Sequence, residues 1–381
     1  MRYHAHMKSS LIAMILALGG AGLLVWFTLG STLVQEDREP NTQNQSTSTD
    51  ETSSVEEPTI VAENLMIPWD MVFLPDNSIL VSERGGNIVR ITDGVVYPIE
   101  GVVHTGEAGL LGMALHPNFS ENNFLYVYLT TSIGEDLVNN IVRYTYRENT
   151  LTFDRVIFDT IPASRFHDGG RIAFGPDGYL YVTVGDAQNE HAAQNPQSLA
   201  GSILRITAEG EIPSGNPFGN AVYSYGHRNP QGLAWDGEGR LWSTEHGRSG
   251  IRSGYDEVNL IEAGGNYGWP ESEGDAVAAG TVAPAAHSSA SATWAPASAV
   301  YYDGSIFFGG LRGEALYEAV LKDKEVVEVR EHLSGAYGRI RTVAIGPDGN
   351  FYLTTSNRDG RGSPEANDDR IIRVDPRQFR E

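Results

Sequence analysis

The chain has 381 residues, of which 49 are acidic and 27 are basic, so its formal net charge at pH 7 is −22. This acidic balance argues against nucleic acid or an anionic membrane surface as a partner, because both require basic side chains. The chain has no cysteine, which excludes disulfide bonds and a lipid anchor attached through cysteine.

An apolar segment near the N-terminus is the first predicted element. Residues 1–8 carry Arg2 and Lys8, and residues 9–34 form an uncharged run long enough to span the hydrocarbon layer of a membrane. Acidic residues follow this run, so we expect an N-terminus in the cytoplasm and a periplasmic or cell-surface location for the rest. Residues 1–34 are therefore predicted to be a signal anchor, with a cleaved signal peptide as the alternative. We expect no other contact with the membrane.

Residues 35–58 are predicted to be a disordered linker. They are polar and lack an apolar period, so they cannot bury enough apolar surface to offset the entropy lost on ordering. Residues 59–381, in contrast, are rich in glycine, tyrosine and β-branched residues, and apolar-polar alternation dominates there. We therefore predict one all-β domain over residues 59–381.

A turn followed by an alternating strand recurs along this domain. In the clearest copy, the turn Gly175-Pro176-Asp177-Gly178 precedes a predicted strand over residues 179–185. Similar units begin at Leu74, His116, Asp236, Tyr302 and Gly346. Their intervals of about 40 to 65 residues are typical of propeller blades, whereas a large β-sandwich, the alternative, gives no reason for such a repeat. The pattern predicts a six-bladed β-propeller.

Several phrases at predicted strand ends carry polar residues that a structural strand or turn does not require. These phrases begin at Gly106, His167, Gly226, Glu245, Tyr255, Gly264, Gly310 and Gly338. In a propeller, the corresponding loops of all blades converge on one face around the axis. Phrases that are distant in sequence can therefore form one site.

Five stretches in this part of the chain match a known family in its order. They are GEAGLLGMALHPNF, HDGGRIAFGPDGYLYVTVGD, GHRNPQGLAWD, DEVNLIEAGGNYGWP and GRIRTVAIGPDGNFYLTT. Together they resemble the soluble quinoprotein glucose/sorbosone dehydrogenases, most closely the aldose sugar dehydrogenase branch, over nearly all of residues 59–374. The resemblance implies a six-bladed propeller that binds pyrroloquinoline quinone (PQQ) and calcium. It also implies oxidation of aldose sugars at C1 to the lactone, with electrons passed to an external acceptor such as a quinone or a cytochrome.

The resemblance implies roles for individual side chains. His167 corresponds to the general base that removes the proton of the C1 hydroxyl, a task that suits imidazole. Arg228 corresponds to a catalytic cation that stabilises negative charge developing on the quinone oxygens. The implied cofactor-binding positions are Glu107, His167, Arg228, Asn229, Arg312, Arg339 and Arg341. Guanidinium groups fit a cofactor with three carboxylates, because each can bind a carboxylate through two hydrogen bonds.

Two calcium sites are implied in the same way. The backbone carbonyls of Gly247 and Arg248 match a calcium site that bridges to the cofactor. Glu257 and Tyr267, the latter through its carbonyl, match a second, structural calcium site.

Two positions depart from the best-known glucose-oxidising member of the family. Glu107 stands in place of a glutamine beside the sugar, and Arg312 stands in place of a lysine beside the cofactor. The long substrate-side insertions are also missing, and residues 271–291 form an Ala/Gly/Ser-rich stretch instead. Both substitutions occur in the aldose sugar dehydrogenase branch, and they leave the preferred sugar open.

The sequence therefore favours a PQQ- and calcium-dependent aldose dehydrogenase over two alternatives. One is a propeller that binds carbohydrate or protein without catalysis, since a fold does not determine a function. The presence of the base together with the cofactor arginines argues against that alternative. The other is a calcium-dependent lactonase, which holds its metal mainly with side-chain carboxylates and amides, and no such converging set is evident in the sequence.

Overall fold

The computed structural model describes residues 55–250 and 253–380. The predicted anchor or signal peptide at residues 1–34, and residues 35–54 of the predicted linker, lie outside the described residues. Within the described part, no helix is both long enough and apolar enough to cross a membrane. The interpretation of the N-terminal segment therefore remains a prediction.

The described chain folds into six four-stranded antiparallel sheets, which are the blades of a propeller. Blade 1 contains β2 (Pro68–Phe73), β3 (Ile79–Glu83), β4 (Asn87–Arg90) and β5 (Val95–Pro98). Blade 2 contains β6 (Leu110–Leu115), β7 (Phe124–Ile133), β8 (Asp136–Arg147) and β9 (Thr150–Pro162). Blade 3 contains β10 (Ile172–Phe174), β11 (Leu180–Val184), β12 (Ser202–Ile206) and β13 (Val222–Tyr225). The prediction of an all-β, six-bladed propeller is confirmed.

The remaining blades follow in chain order, except that the last one takes its fourth strand from the start of the domain. Blade 4 contains β14 (Pro230–Trp235), β15 (Leu241–Glu245), β16 (Glu257–Ile261) and β17 (Ala286–His287). Blade 5 contains β18 (Pro296–Tyr302), β19 (Ser305–Gly310), β20 (Ala315–Lys322) and β21 (Glu325–His332). Blade 6 contains β22 (Ile340–Ile345), β23 (Phe351–Thr355), β24 (Ile371–Val374) and β1 (Thr59–Ala62). The described helices are α1 (Phe119–Asn122) and two short 3₁₀ helices, Glu190–Gln194 and Pro376–Phe379.

The predicted turn-plus-strand units correspond to one position in every blade. The six predicted turns precede β3, β7, β11, β15, β19 and β23, which are the second strands of the six blades. In the Gly175–Gly178 turn, the Gly175 N–H donates to the Tyr179 carbonyl (2.9 Å) and the Asp177 side chain accepts from the Tyr179 N–H (3.2 Å). Gly178 has φ of 78°, a conformation that glycine adopts without strain. Each turn thus joins the inner strand of a blade to its neighbour.

The hydrophobic core lies between neighbouring blades, as aromatic and β-branched side chains of facing sheets interdigitate. Between blades 5 and 6, the rings of Phe307 and Phe351 meet edge to face, with centroids 5.0 Å apart. Phe379, in the last 3₁₀ helix, packs on both rings. The last 3₁₀ helix therefore contributes to the interface between blades 5 and 6.

Ring closure depends on β1. This strand pairs antiparallel with β24, with Thr59 opposite Arg373 and Ile60 opposite Ile372. The start of the domain thereby supplies the outer strand of the blade built from its end. Backbone hydrogen bonds, rather than a covalent link, hold the ring shut.

Hydroxyl side chains tie adjacent blades together. The Ser82 hydroxyl donates to the Leu111 carbonyl across blades 1 and 2 (2.6 Å). The Thr342 hydroxyl donates to the Trp69 carbonyl across blades 6 and 1 (2.7 Å). Bonds of this kind satisfy the buried polar groups around the axis, which would otherwise destabilise the fold.

A buried ion pair near the axis connects four blades. The Arg171 guanidinium contacts the Asp70 carboxylate, its Nε donates to the Gln231 carbonyl (3.0 Å), and its carbon lies 4.3 Å from the Trp69 ring centroid. The second oxygen of Asp70 accepts from the Met113 N–H (3.0 Å). Both charged side chains are almost fully buried, so each depends on the other for compensation.

We expect the Asp70→Asn substitution to lower the free energy of unfolding by about 3–5 kcal/mol, because it leaves the Arg171 charge buried without a counter-ion. The measurement is urea denaturation of the variant beside the wild type. Asp323→Asn is the control, since Asp323 pairs with Arg240 (2.6 Å) but its side chain is 81% exposed. That change should cost less than about 1 kcal/mol. An equal decrease in the free energy of unfolding of the two variants would contradict the stabilising role of the buried Asp70–Arg171 pair.

Candidate active site

A cavity of about 640 Å³ opens on the propeller face where the loops before the inner strands meet the loops between second and third strands. All six blades contribute loops to this cavity. These include the loops β5–β6, β9–β10, β13–β14, β15–β16, β19–β20 and β23–β24. A second cavity of about 360 Å³ adjoins it and shares His167, Arg228, Arg248 and Ser249. The convergence of distant phrases on one face, expected from the sequence, is observed.

Most of the site residues predicted from the sequence lie together on the wall of the larger cavity. Those that line the larger cavity are Glu107, His167, Arg228, Asn229, Gly247, Arg248, Arg312 and Arg339. Three others, Arg341, Glu257 and Tyr267, do not line it. Lining residues that the sequence reasoning did not assign include Phe166, Gln188, His246 and Arg361.

His167 occupies the centre of a hydrogen-bonded group. Its Nδ1 lies 2.8 Å from Oδ1 of Asp186, and its Nε2 lies 2.9 Å from a terminal nitrogen of Arg228. Because arginine can only donate, Nε2 is the unprotonated nitrogen and Nδ1 donates its proton to the carboxylate. The lone pair of Nε2 therefore accepts from Arg228 at the cavity wall.

The backbone at His167 is held in an unusual conformation. Its φ is 62°, in the left-handed region that non-glycine residues rarely adopt. The His167 N–H donates to Oε2 of Glu107 (3.0 Å), and the His167 carbonyl accepts from the Ala187 N–H (3.2 Å). A Cβ on the adjacent Gly185 would meet the His167 carbonyl oxygen at 1.9 Å, so only glycine fits beneath the imidazole.

Asp186 is a site residue that the sequence reasoning did not assign, although it ends one of the quoted stretches. It follows β11, 19 residues after His167, and its side chain is buried. Besides the imidazole contact, Oδ1 accepts from the Gln188 N–H (2.8 Å) and Oδ2 accepts from the indole N–H of Trp269 (2.9 Å). The only signal in the sequence was an aspartate at the end of the strand that follows the His167 loop.

The described part of the cavity wall is rich in cations. It carries five arginines, which are Arg228, Arg248, Arg312, Arg339 and Arg361. The acidic side chains on the same wall are Glu107 and Asp256. In a chain of formal net charge −22, this local excess of positive charge favours an anionic ligand.

Two buried nitrogen atoms on this wall lack hydrogen-bond partners among the described residues. They are Nε of Arg228, which can only donate, and Nε2 of His246. Burial lowers the pKa of Arg228, and burial lowers the pKa of His246 to about 4. A buried guanidinium N–H usually has an acceptor, so the wall suits a ligand that carries acceptors.

Glu107 links the His167 loop to blade 6. Its Oε1 accepts from Arg361 (2.6 Å), whose side chain is half exposed, while Oε2 holds the His167 N–H. Burial alone would raise the pKa of Glu107, but the charges of Arg361 and His246 lower it to about 2. Glu107 is therefore ionised at neutral pH and acts as an acceptor, a role that a neutral glutamine amide could fill only in part.

Arg339 and Arg341 share one carboxylate. Their guanidinium groups lie 2.7 Å and 3.6 Å from the same oxygen of Asp359. Arg341 also donates to the Ser356 hydroxyl (3.1 Å), and burial lowers its pKa to about 9 although Asp359 opposes this shift. Arg339 faces the cavity, whereas Arg341 lies behind the wall and supports the same ion pair.

The predicted calcium ligands fall into two places. Gly247 and Arg248 lie on the cavity wall, where the Gly247 N–H donates to Asp256 (2.9 Å). No group of three or more His, Cys, Asp or Glu side chains able to hold a metal occurs within residues 55–250 and 253–380. Calcium binding by the backbone carbonyls of Gly247 and Arg248 stays a prediction.

Glu257 and Tyr267 belong to a buried cluster away from the cavity wall. Glu257 lies directly opposite Glu245 on the neighbouring strand, and burial together with the Glu245 charge raises the pKa of Glu257 to about 8. The Tyr267 ring stacks on His227, with centroids 4.6 Å apart, and His227 contacts Glu245 (2.8 Å). The cluster has an excess of carboxylates over cations.

Comparisons with known proteins identify related sequences and structures. The family model described as Glucose / Sorbosone dehydrogenase matches residues 65–364. The chain is 31% identical to the aldose sugar dehydrogenase YliI of Escherichia coli strain K12, with 84% of this chain and 92% of that protein covered. It is 35% identical to an uncharacterized protein of Synechocystis sp., with 87% and 93% covered. The PQQ-bound form of an aldose sugar dehydrogenase from Streptomyces coelicolor has 40% identity and a TM-score of 0.77, with 84% and 98% covered.

Asp168, directly after His167, is a buried carboxyl group whose charge is not compensated. Its Oδ1 accepts from the Asn139 amide and the Ser164 N–H, both at 3.1 Å. Its Oδ2 has no partner among the described residues. Burial, with a smaller contribution from the Glu107 charge, raises the pKa of Asp168 to about 7.

We expect this group to make stability depend on pH. Because its folded pKa lies above the unfolded value, Asp168 favours the folded state below about pH 4, and this contribution is lost as the pH rises through about 7. Asp168→Asn should abolish that loss, which is on the order of 2–4 kcal/mol. The measurement is the free energy of unfolding of both proteins at pH 5 and pH 8. At each pH, the free energy of unfolding of the variant is subtracted from that of the wild type. The prediction is wrong if this difference is not smaller at pH 8 than at pH 5.

Proposed function

Because the chain belongs to the glucose/sorbosone dehydrogenase family, we propose that it is a PQQ- and calcium-dependent enzyme that oxidises aldose sugars at C1 to the lactone. The observation that carries the proposal is the unprotonated Nε2 of His167, which lies beside Arg228 at the wall of a cavity lined by arginines. The named activities of the relatives in Escherichia coli and Streptomyces coelicolor support the same conclusion.

The residues of the cavity fit PQQ. The cofactor has three carboxylates, and the wall offers guanidinium groups together with the unpaired Nε of Arg228 and Nε2 of His246. Arg228, Asn229, Arg312 and Arg339 would hold it, and Arg341 would support Arg339 through Asp359. When bound, PQQ supplies the acceptor of the two electrons that leave C1 of the sugar.

His167 would act as the general base in this reaction. Its Nε2 takes the proton of the C1 hydroxyl while Asp186 holds Nδ1 and stabilises the positive charge that forms on the ring. Once Nε2 is protonated it can no longer accept from Arg228. Arg228 then keeps the Ser249 hydroxyl (2.9 Å) as an acceptor, and its charge remains available to stabilise negative charge in the cavity.

Glu107 and Asn229 would position the base rather than take its proton. Asn229 accepts the N–H of Gly169 (3.0 Å), two residues after the base, and Glu107 accepts the N–H of His167 itself. The two side chains hold the strained loop in place from different blades. Such preorganisation keeps Nε2 at a fixed position relative to the reacting hydroxyl.

Calcium is proposed at the two places implied by the resemblance. The carbonyls of Gly247 and Arg248 would contribute oxygen ligands beside the cofactor, and Glu257 with the Tyr267 carbonyl would contribute to a structural site. The support for the second site is the buried pair of carboxylates, Glu245 and Glu257, whose mutual repulsion a divalent cation would offset.

The fate of the electrons and the location of the domain are part of the same proposal. We expect an external acceptor, a quinone or a cytochrome, to reoxidise the cofactor. The apolar run at residues 9–34 supports an extracytoplasmic location, with the domain either tethered or released after cleavage. A non-catalytic binding module has no specific observation in its favour, because base and cation wall occur together.

His167→Asn should retain PQQ binding and lose turnover by about 10²–10⁴-fold, since asparagine tolerates the left-handed backbone but cannot act as a base. Binding is followed by the absorbance of PQQ titrated into the full-length chain with calcium, and turnover by reduction of a dye with an aldose. His191→Asn is the control, because His191 is exposed. Full turnover in the His167 variant would exclude this base. Failure of the wild type to bind PQQ would make the binding module the leading interpretation.

In the cofactor-free protein, calcium should stabilise Glu257→Gln less than the wild type, because the variant lacks a side-chain ligand of the structural site. At a concentration about a hundredfold above Kd, a single bound ion raises Tm by on the order of 5 °C in a domain of this size. The measurement is Tm in EDTA and in calcium by differential scanning calorimetry. Glu262→Gln, at an exposed position beside the end of the same strand, should keep the full shift. An unchanged shift in Glu257→Gln would exclude this carboxylate as a ligand.

A further inference from the structure

Trp269 contacts the carboxylate that holds the base. Its indole N–H donates to Oδ2 of Asp186 (2.9 Å), while Oδ1 of the same carboxylate lies 2.8 Å from Nδ1 of His167. One oxygen of Asp186 thus contacts the imidazole and the other contacts the indole. Because the terminal torsion of an aspartate is broad, a donor on the second oxygen restricts the rotation that would break the imidazole contact.

The same tryptophan also contacts the other partner of the imidazole. The guanidinium carbon of Arg228 lies 5.3 Å from the centroid of the Trp269 ring, and Arg228 approaches Nε2 of His167 at 2.9 Å. A cation over an aromatic face is attracted by the ring quadrupole. Trp269 therefore touches both groups that hold the His167 ring, without touching the ring through a hydrogen bond of its own.

The backbone of Trp269 is anchored to the loops that carry these two partners. Its N–H donates to the Gly226 carbonyl (2.9 Å), two residues before Arg228. Its carbonyl accepts from the Gln194 amide (2.7 Å), in the 3₁₀ helix that follows the Asp186 loop. The indole is consequently held from both sides of the base.

We propose that Trp269 is a positioning residue for the general base, acting through the Asp186 carboxylate and the Arg228 guanidinium. The proposal rests on the proposed function, because it takes His167 as the base. Such supporting contacts hold a reacting group to within a fraction of an ångström of its working position. The charged groups that face His167 are Asp186, Arg228 and Glu107, with Glu190 and Arg248 on the wall of the smaller cavity.

The first test compares Trp269→Phe with a matched control. Phenylalanine keeps an aromatic ring for Arg228 but is smaller than indole and lacks the N–H, so we expect kcat to fall about tenfold with little change in KM. Trp242→Phe removes an equivalent bond elsewhere, since the indole of Trp242 donates to Oδ2 of Asp236 (2.8 Å) in a buried part of blade 4. That control should keep its kcat. An equal decrease of kcat in Trp269→Phe and Trp242→Phe would overturn the proposal.

A double-mutant cycle separates positioning from a general loss of packing. If Trp269 acts through Asp186, adding Trp269→Phe to Asp186→Asn should lower kcat by less than twofold, against about tenfold in the wild type. If the effects of the two substitutions on kcat multiply instead, Trp269 does not act through this carboxylate. That outcome would overturn the proposal.

A third measurement needs no activity. In the cofactor-free full-length chain labelled with ¹⁵N, the indole N–H signal of Trp269 should shift in Asp186→Asn, because the oxygen that accepts from the indole loses its charge. The signal should stay in place in Asp236→Asn, which makes the same change beside Trp242. A Trp269 signal that stays fixed in Asp186→Asn would overturn the proposal, even where a Trp269 variant does not fold. Failure to oxidise any aldose, in contrast, would reject the proposed function and leave this result to decide the positioning role.

Discussion

The pairing of β1 with β24 is the contact on which the rest of the structure depends. Every polar side chain of the candidate site comes from a loop at one face of the ring, and those loops meet only if the ring is closed. Inside the ring, the Asp70–Arg171 pair and the hydroxyl bonds between adjacent blades connect neighbouring sheets. Closure therefore converts six separate strand ends into one cavity.

The cavity illustrates how an acidic protein concentrates positive charge. Arg228 and Arg339 are buried, and burying a guanidinium without compensation is expensive. Asp359 compensates Arg339 and Glu107 compensates Arg361, whereas Nε of Arg228 has no partner among the described residues. The positive charge of the wall is thus paired with carboxylates in part, and one buried N–H is left without an acceptor.

His167 is held by a chain of contacts that crosses blade boundaries. Glu107 fixes its backbone from the loop that leads into blade 2, Asp186 fixes its ring from blade 3, and Arg228 and Trp269 approach from the loops around blade 4. The backbone of His167 stays in its left-handed conformation because these contacts overdetermine it. The position of Nε2 is in this sense a property of three blades rather than of one loop.

Local patterns in the sequence were sufficient for the architecture and for part of the site. The repeated turn-plus-strand units predicted the second strand of every blade, because a turn is encoded by adjacent residues. Contiguous phrases likewise pointed to His167, Arg228 and Arg339. The same reasoning could not identify Asp186, Trp269 or Arg361 as site residues. Nor could it show that Arg341 does not line the cavity. Arg361 is 254 residues from Glu107, which it contacts, and only the angle between closed blades brings such side chains within hydrogen-bonding distance.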